Sequence, residues 1–160
     1  MKGDKKVLAL LNQALKSEIT AIQQYLMHSH LLRNWGVAKL ADFEAAEIVD
    51  ERGHVDKLMA RILFLEGTPN VGEFDKLLIG KNVKEILEND LKLELQAVHM
   101  YRKSAQYCED IGDYVSSELF EELLHEEEGH VDHIETMLMQ IKLIGLENFT
   151  RMHMKTADQK

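Results

Sequence analysis

The chain has 160 residues, enough for one domain with a sizeable core. Charged residues make up 29% and hydrophobic residues 45%, a soluble globular balance, and the net charge of −9 argues against nucleic acid as a main partner while suiting the gathering of cations. The single cysteine, Cys108, excludes an internal disulfide and a thiolate zinc site; no run of membrane length and no leader-like start is present, so a cytoplasmic protein with no membrane partner is expected.

One proline and nine glycines leave long stretches free to be helical. Asp4 can cap a first helix over about residues 4–35, closed by Gly36. A second helical pattern covers about 39–66. The breaker-rich stretch GTPNVGEFDKLLIGKN, Gly67 to Asn82, follows. Asn82 with Glu85 reads as the cap of a third helix over about 83–111. Gly112 ends it and Asp113 starts a fourth, about 113–144, stopped by Gly145. A short fifth segment covers about 147–154, and the polar tail KTADQK is expected to fray. The short first and last connections make antiparallel neighbours. The 16-residue middle connection can stretch roughly 50 Å, more than the roughly 40 Å length of the second helix. The expected fold is therefore all-α: one four-helix bundle over 1–160, with a long crossover and a short fifth helix.

Heptad spacing locates the inward seams. They read Leu8, Leu11, Leu15, Glu18, Ile22, Tyr25 in the first helix and Leu40, Glu44, Glu47, Glu51, His54, Leu58 in the second. The third gives Leu87, Leu91, Glu94, Val98, Tyr101, Ala105, and the fourth Phe120, Leu123, Glu127, His130, Ile134, Met137. Within EELLHEEEGHVDH, Glu127 and His130 thus face the core, while Glu121, Glu122 and Glu126 face elsewhere. Positions also repeat. Glu94, Tyr101, Glu127 and His130 each lie 76 residues after Glu18, Tyr25, Glu51 and His54. A pseudo-twofold axis would bring two glutamates and two Glu-x-x-His pairs together at mid-bundle.

A lone Glu-x-x-His is usually a surface feature, but two of them repeating with two seam glutamates are not explained that way. Four buried carboxylates repel and lose hydration at several kcal/mol per ion, and two divalent cations balance them. Oxygen and imidazole donors suit iron or manganese, with zinc or cobalt as substitutes. This donor pattern is that of di-iron and di-manganese carboxylate bundles. His28, His30, His99, His125, His133 and His153 lack the repeat and read as surface or packing residues. Cys108 reads as an apolar filler, Trp35 as a plug at a helix end or subunit contact, and Met137, Met139, Met152 and Met154 as packing residues.

Along essentially its whole length the sequence resembles the bacterioferritin family, through the ligand set, NWG at Asn34–Gly36, RILFLEGTPN at Arg61–Asn70 and EEEGH at Glu126–His130. The resemblance implies a ferritin-like fold and a hollow, cytoplasmic shell of 24 subunits that oxidises Fe(II) with dioxygen or hydrogen peroxide and stores the ferric product. It implies that Glu51 and Glu127 bridge two irons, with Glu18 and His54 at one end and Glu94 and His130 at the other. Tyr25 would give an electron or a hydrogen bond. Asn34, Glu66, Asp132 and Thr136 would line a pore between subunits, and Glu47 and Asp50 would pass iron inward, although Ala46 stands where the family often has a histidine. The haem-ligand methionine is replaced by Arg52, so this chain alone is expected to bind little haem, and a shell mixed with a haem-binding subunit is an alternative. A non-catalytic shell subunit and a di-iron peroxide reductase are the other readings. The single cysteine counts against the rubrerythrin type of the latter, and a site complete in one chain counts against a DNA-protecting mini-ferritin.

Overall fold

The computed structural model describes residues 1–155. Residues 156–160, most of the tail expected to fray, lie outside the described residues. Five helices follow in order: α1 (Lys5–Asn34), α2 (Ala38–Phe64), α3 (Val83–Asp110), α4 (Tyr114–Ile144) and α5 (Leu146–His153). They form an all-α ferritin-like four-helix bundle with a long crossover and a short C-terminal helix.

The helix starts follow local chemistry. The Asp4 carboxylate accepts from the Lys6 and Val7 amides, Asn82 from Glu85, and Asp113 from Ser116, which satisfies donors that a helix start leaves free. Glu85 reaches back to the Lys81 amide at 2.9 Å. Gly36, Gly112 and Gly145 take φ of 80°, 77° and 81°, a left-handed turn out of the helix that costs glycine little. The end of α2 differs from the sequence expectation. The helix stops at Phe64, and Glu66, not a glycine, is the left-handed residue at φ 58°. Its amide returns to Leu63 O and the Gly67 amide to Ile62 O. Gly67 serves a different need, since a Cβ there would lie 2.5 Å from Leu8 Cδ2.

The main packing is within two helical hairpins, α1 with α2 and α3 with α4. Each hairpin carries one buried serine tie, Ser29 Oγ to Ala41 O at 3.0 Å and Ser117 Oγ to Ala105 O at 2.9 Å. The crossover lies along α1. The Asn70, Asp75, Leu78 and Gly80 amides donate in turn to the side chains of Asn12, Thr20, Gln24 and His28 at 2.7–3.1 Å. Lys16 adds an ion pair with Asp75 at 2.7 Å. Spacing of four residues puts these side chains on one helical stripe. Where the crossover meets α3 it packs so closely that a Cβ on Gly80 would lie 2.4 Å from the Ile86 amide.

The apolar core comes in two main blocks. One gathers Leu11, Leu15, Leu58, Ile62, Tyr101 and Phe120. The other gathers Leu32, Leu40, Ile86, Leu87, Ile134 and Phe149. The seam glutamates occupy a polar belt between them.

Candidate metal centre

Each of the four long helices sends ligands into that belt. Glu18 comes from α1, Glu51 and His54 from α2, Glu94 from α3, and Glu127 and His130 from α4. The i, i+3 spacing keeps each glutamate and its histidine on one face. All four glutamates and His54 are buried, and His130 is nearly so. Two overlapping ligand groups result: Glu18, Glu51, His54 and Glu127, and Glu51, Glu94, Glu127 and His130. Within each group the ligand atoms lie within 4.8 Å of one another.

Glu51 and Glu127 belong to both groups, and the atoms show how. Glu51 Oε2 is 2.8 Å from His54 Nδ1, and its Oε1 is 3.4 Å from His130 Nδ1. Glu127 Oε1 is 3.2 Å from His54 Nδ1, and its Oε2 is 3.4 Å from His130 Nδ1. Each carboxylate therefore splits its two oxygens between two positions, which is what bridging ligands do. Glu18 Oε2 closes one end at 3.3 Å from His54, and Glu94 Oε2 the other at 3.8 Å from His130. The imidazoles stack at 6.2 Å between centroids.

The donor chemistry fits two cations. Glu51, Glu127, Glu94 Oε2 and His130 Nδ1 have buried atoms without a hydrogen-bond partner. Unpaired buried polar atoms are costly, and several in one place ask for an occupant. Without metal, protons take over. Burial, with the charges of Glu51 and Glu127, pushes Glu18 well above the ordinary carboxyl range. Burial and Glu127 do the same to Glu94. Burial also works to raise Glu51, but the closeness of Glu18, His130 and His54 outweighs it and holds that carboxylate low. Both histidines stay protonated: burial opposes their charge, and the surrounding glutamates overcome it.

The supporting residues are arranged around this set. Tyr25 and Tyr101 are fully buried. The Tyr25 hydroxyl donates to Glu94 Oε1, and the Tyr101 hydroxyl to Glu18 Oε1. Each phenol thus holds the end carboxylate of the other repeat. Glu126, read from the heptad as facing away, instead meets His54 Nε2 at 2.5 Å and Lys57 at 3.0 Å. The far nitrogen of His130 faces Glu47 at 3.4 Å. Burial lifts Glu47 to about 7, against the pull of His130. Asp50, Glu47 and His130 form a further ligand group on the same side, with Asp50 exposed.

Other sequence candidates lie apart from the centre. Asn34, Glu66, Asp132, Thr136 and Arg52 are exposed. Asn34 ends α1, whereas Glu66 follows α2 at the other end of the bundle, where the Gly3 amide meets Leu65 O. One chain cannot gather the four pore candidates. Arg52 points away from the face that carries Glu51 and His54.

A second buried polar cluster surrounds His28, which the sequence alone offers as a packing residue. Gln24 Nε2 donates to Asp90 Oδ1 at 2.8 Å, and His28 Nδ1 is 2.9 Å from the same oxygen. Because His28 Nε2 accepts the Gly80 amide, the ring proton sits on Nδ1 and is given to Asp90. Both ring nitrogens are thereby engaged, one as donor and one as acceptor, and His28 offers no free lone pair to a metal. Glu44 lies against Asp90, fully buried. Burial and the Asp90 charge push its carboxyl well up, and both its oxygens are without a hydrogen-bond partner. Asp90 therefore clamps the crossover to the bundle.

The ferritin-like domain family matches residues 8–144. A bacterioferritin of Rhodobacter capsulatus is 46% identical over 158 residues, 99% of this chain and 98% of the relative. One of Brucella melitensis biotype 1 is 46% identical over 159 residues, 99% of each. The chain belongs to the bacterioferritin family. A solved Rhodobacter capsulatus bacterioferritin, described with a metal-free dinuclear site and a haem iron in a crystallographic special position, superposes with a TM-score of 0.98 over 100% of both chains. Among the described residues no helix is long and apolar enough to cross a membrane. This family member carries a buried di-iron carboxylate site and the ferroxidase and iron-storage function that goes with it.

Proposed function

We propose that the chain oxidises Fe(II) with dioxygen or hydrogen peroxide at the Glu18, Glu51, His54, Glu94, Glu127, His130 centre and stores the ferric product inside a cytoplasmic 24-subunit shell. The observation that carries this reading is the division of Glu51 and Glu127 oxygens between His54 and His130. Two irons held there supply one electron each to the oxidant. The protein's part is to place and balance charge. Glu51 and Glu127 fix the spacing of the pair. Glu18 and Glu94 give up protons as cations arrive, and the two imidazoles do the same. The apolar blocks on either side keep the belt dry.

Asn34, Glu66, Asp132 and Thr136 line a channel between subunits through which Fe(II) arrives. Their exposure and their places at opposite ends of one chain support a site built by several copies. Glu47, with a carboxyl near 7, receives iron from the His130 side and passes it to Asp50 at the interior wall. Ala46 removes a further donor from that route.

Arg52 stands where the haem-ligand methionine belongs and presents a cation to that surface. A shell of this chain alone binds little haem, and haem enters only through a second chain that supplies methionine. A stoichiometric low-spin haem spectrum in the purified homo-oligomer would refute this.

The functional test is aerobic Fe(II) addition to metal-free protein, with ferric absorbance, oxygen uptake and retained iron followed together. The expected result is a fast phase ending near two Fe(II) per chain, then slower uptake into a large particle. A fast phase without further retention would limit the function to oxidation. No fast phase in folded protein would overturn the ferroxidase reading and leave a non-catalytic shell subunit.

A further inference from the structure

A groove of about 690 Å³ runs between α1 and α3. Its floor is apolar, with Leu10 from α1 and Leu91, Leu95 and Met100 from α3. Leu10 and Met100 rest on one apolar block and Leu91 on the other, so the groove spans the two. Glu94 is fully buried in the belt between them, while its neighbour Leu95 is 46% exposed in the groove. The two sides of α3 thus serve separate sites.

Lys92, His99 and Lys103 stand along the rim. Their spacing of seven and four residues puts them on one stripe of α3, roughly 16 Å long. The chain carries a net charge of −9. Lys16, Lys57 and Lys84 are tied to carboxylates, whereas among the described residues Lys92 and Lys103 form no ion pair. Glu88, an acid in the lining, is the residue that Lys84 neutralises. Two unpaired cations beside an apolar trough, in an acidic protein, complement an anion with an apolar body.

We propose that this groove binds a free long-chain carboxylate, its tail on Leu91, Leu95, Leu10 and Met100 and its head at His99 and Lys103. Those two residues, one turn apart, offer a ring N–H and an ammonium to the head. Lys92 lies along the tail, its methylene stem against it and its charge in water. A trough of this size, mostly apolar with a few polar groups, has the make-up of a small-molecule site, and its two helical walls form it before the ligand arrives. The net charge sets the chain against an anionic membrane surface, which favours a free carboxylate over a lipid held in a bilayer. The site does not depend on the metal centre or on the ferroxidase reading.

The test is calorimetric titration of purified full-length shells with dodecanoate below its micellar concentration. Saturable binding near one per chain is expected. Decanoate should bind several-fold more weakly, because each methylene taken from water adds to affinity. Dodecan-1-ol should bind about tenfold more weakly, and dodecyltrimethylammonium should show no saturable binding. Leu95→Gln and Lys103→Glu should each weaken dodecanoate about tenfold or more, with two cobalt(II) per chain still bound. The inference is overturned by no saturable binding to wild type, by equal affinity for the cationic amphiphile, or by unchanged dodecanoate affinity in either correctly assembled variant. The head-group comparison is made on wild type and needs no variant. Shells should stay unbound in flotation with phosphatidylserine vesicles. Flotation that Lys103→Glu abolishes would put a membrane surface in place of the free carboxylate and overturn the stated occupant.

Discussion

Two acidic clusters lie buried in one bundle, and only one of them is built for metal. Around Asp90 the aspartate itself is matched, because Gln24 and His28 give it hydrogen bonds and Gly80 fixes the histidine tautomer, while both oxygens of the neighbouring Glu44 are buried without a partner. At the centre four carboxylates face two imidazoles and two phenols, and several oxygens have no donor. Buried acid alone therefore says little. Unpartnered oxygens occur in both clusters, and it is the carboxylates that split their oxygens between two positions that mark the cation site.

The contrast breaks most severely at a bridging residue. Glu127→Gln should weaken paired cobalt(II) binding by more than about 100-fold, beyond the usual effect of losing an outer partner. Its metal-free melting temperature should hold or rise, because the amide brings donors to an acid-crowded belt. Retained two-per-chain binding, seen by titration of the cobalt absorption, would remove Glu127 from the ligand set. Asp90→Ala should do the reverse. It leaves buried donors on Gln24 and His28 unpaired and should cost about 3 kcal/mol in denaturant unfolding, with two metal ions still bound. Loss of metal without loss of stability would mean that the clamp had been misassigned.

Glu126→Ala sharpens the comparison inside the centre. Glu126 backs His54 but not His130, so one of the two metal ions should bind about 10–100-fold more weakly and the other unchanged. Equal weakening of both in a two-site titration would argue against this asymmetry.

The smallest effect is in pH. Glu18 and Glu94 hold protons more tightly folded than unfolded, so the stability they contribute is lost as pH rises above 4.5 through their folded values. The raised histidines act in the same direction above 6.5. Glu51 and Glu127, held low, change their contribution only in more acid solution. Metal-free protein should thus melt a few degrees lower at alkaline than at mildly acid pH. Zinc should cancel that fall, and its affinity should rise with pH because binding expels protons. Calorimetry of both forms across the range reads both slopes.

The six ligands were legible because they break an apolar rhythm. A glutamate in a leucine seam is visible, and its return 76 residues later fixes it as one motif used twice. What stayed hidden was polar structure that looks wet. Asn12, Lys16, Thr20, Gln24 and His28 form a stripe that reads as a solvated face, yet the crossover lies on it. Glu126 lies off the seam, but the far nitrogen of His54 reaches outward to meet it. Tyr101 was in the repeat, but no spacing tells where a hydroxyl ends. The second helix stops early because Glu66 takes the left-handed turn that a glycine usually takes, while Gly67 is held for space against Leu8. The pore candidates and Arg52 are exposed on the single chain, and the roles proposed for them need neighbouring copies that one chain's pattern does not position.

The most direct test of the central claim is anomalous diffraction from crystals of the shell soaked in manganese(II). Two peaks per chain are expected within the belt, one bounded by Glu18 and His54, the other by Glu94 and His130, with Glu51 and Glu127 between them, and none at Asp90. A single peak, or density at the His28–Glu44–Asp90 cluster with the belt empty, would contradict it.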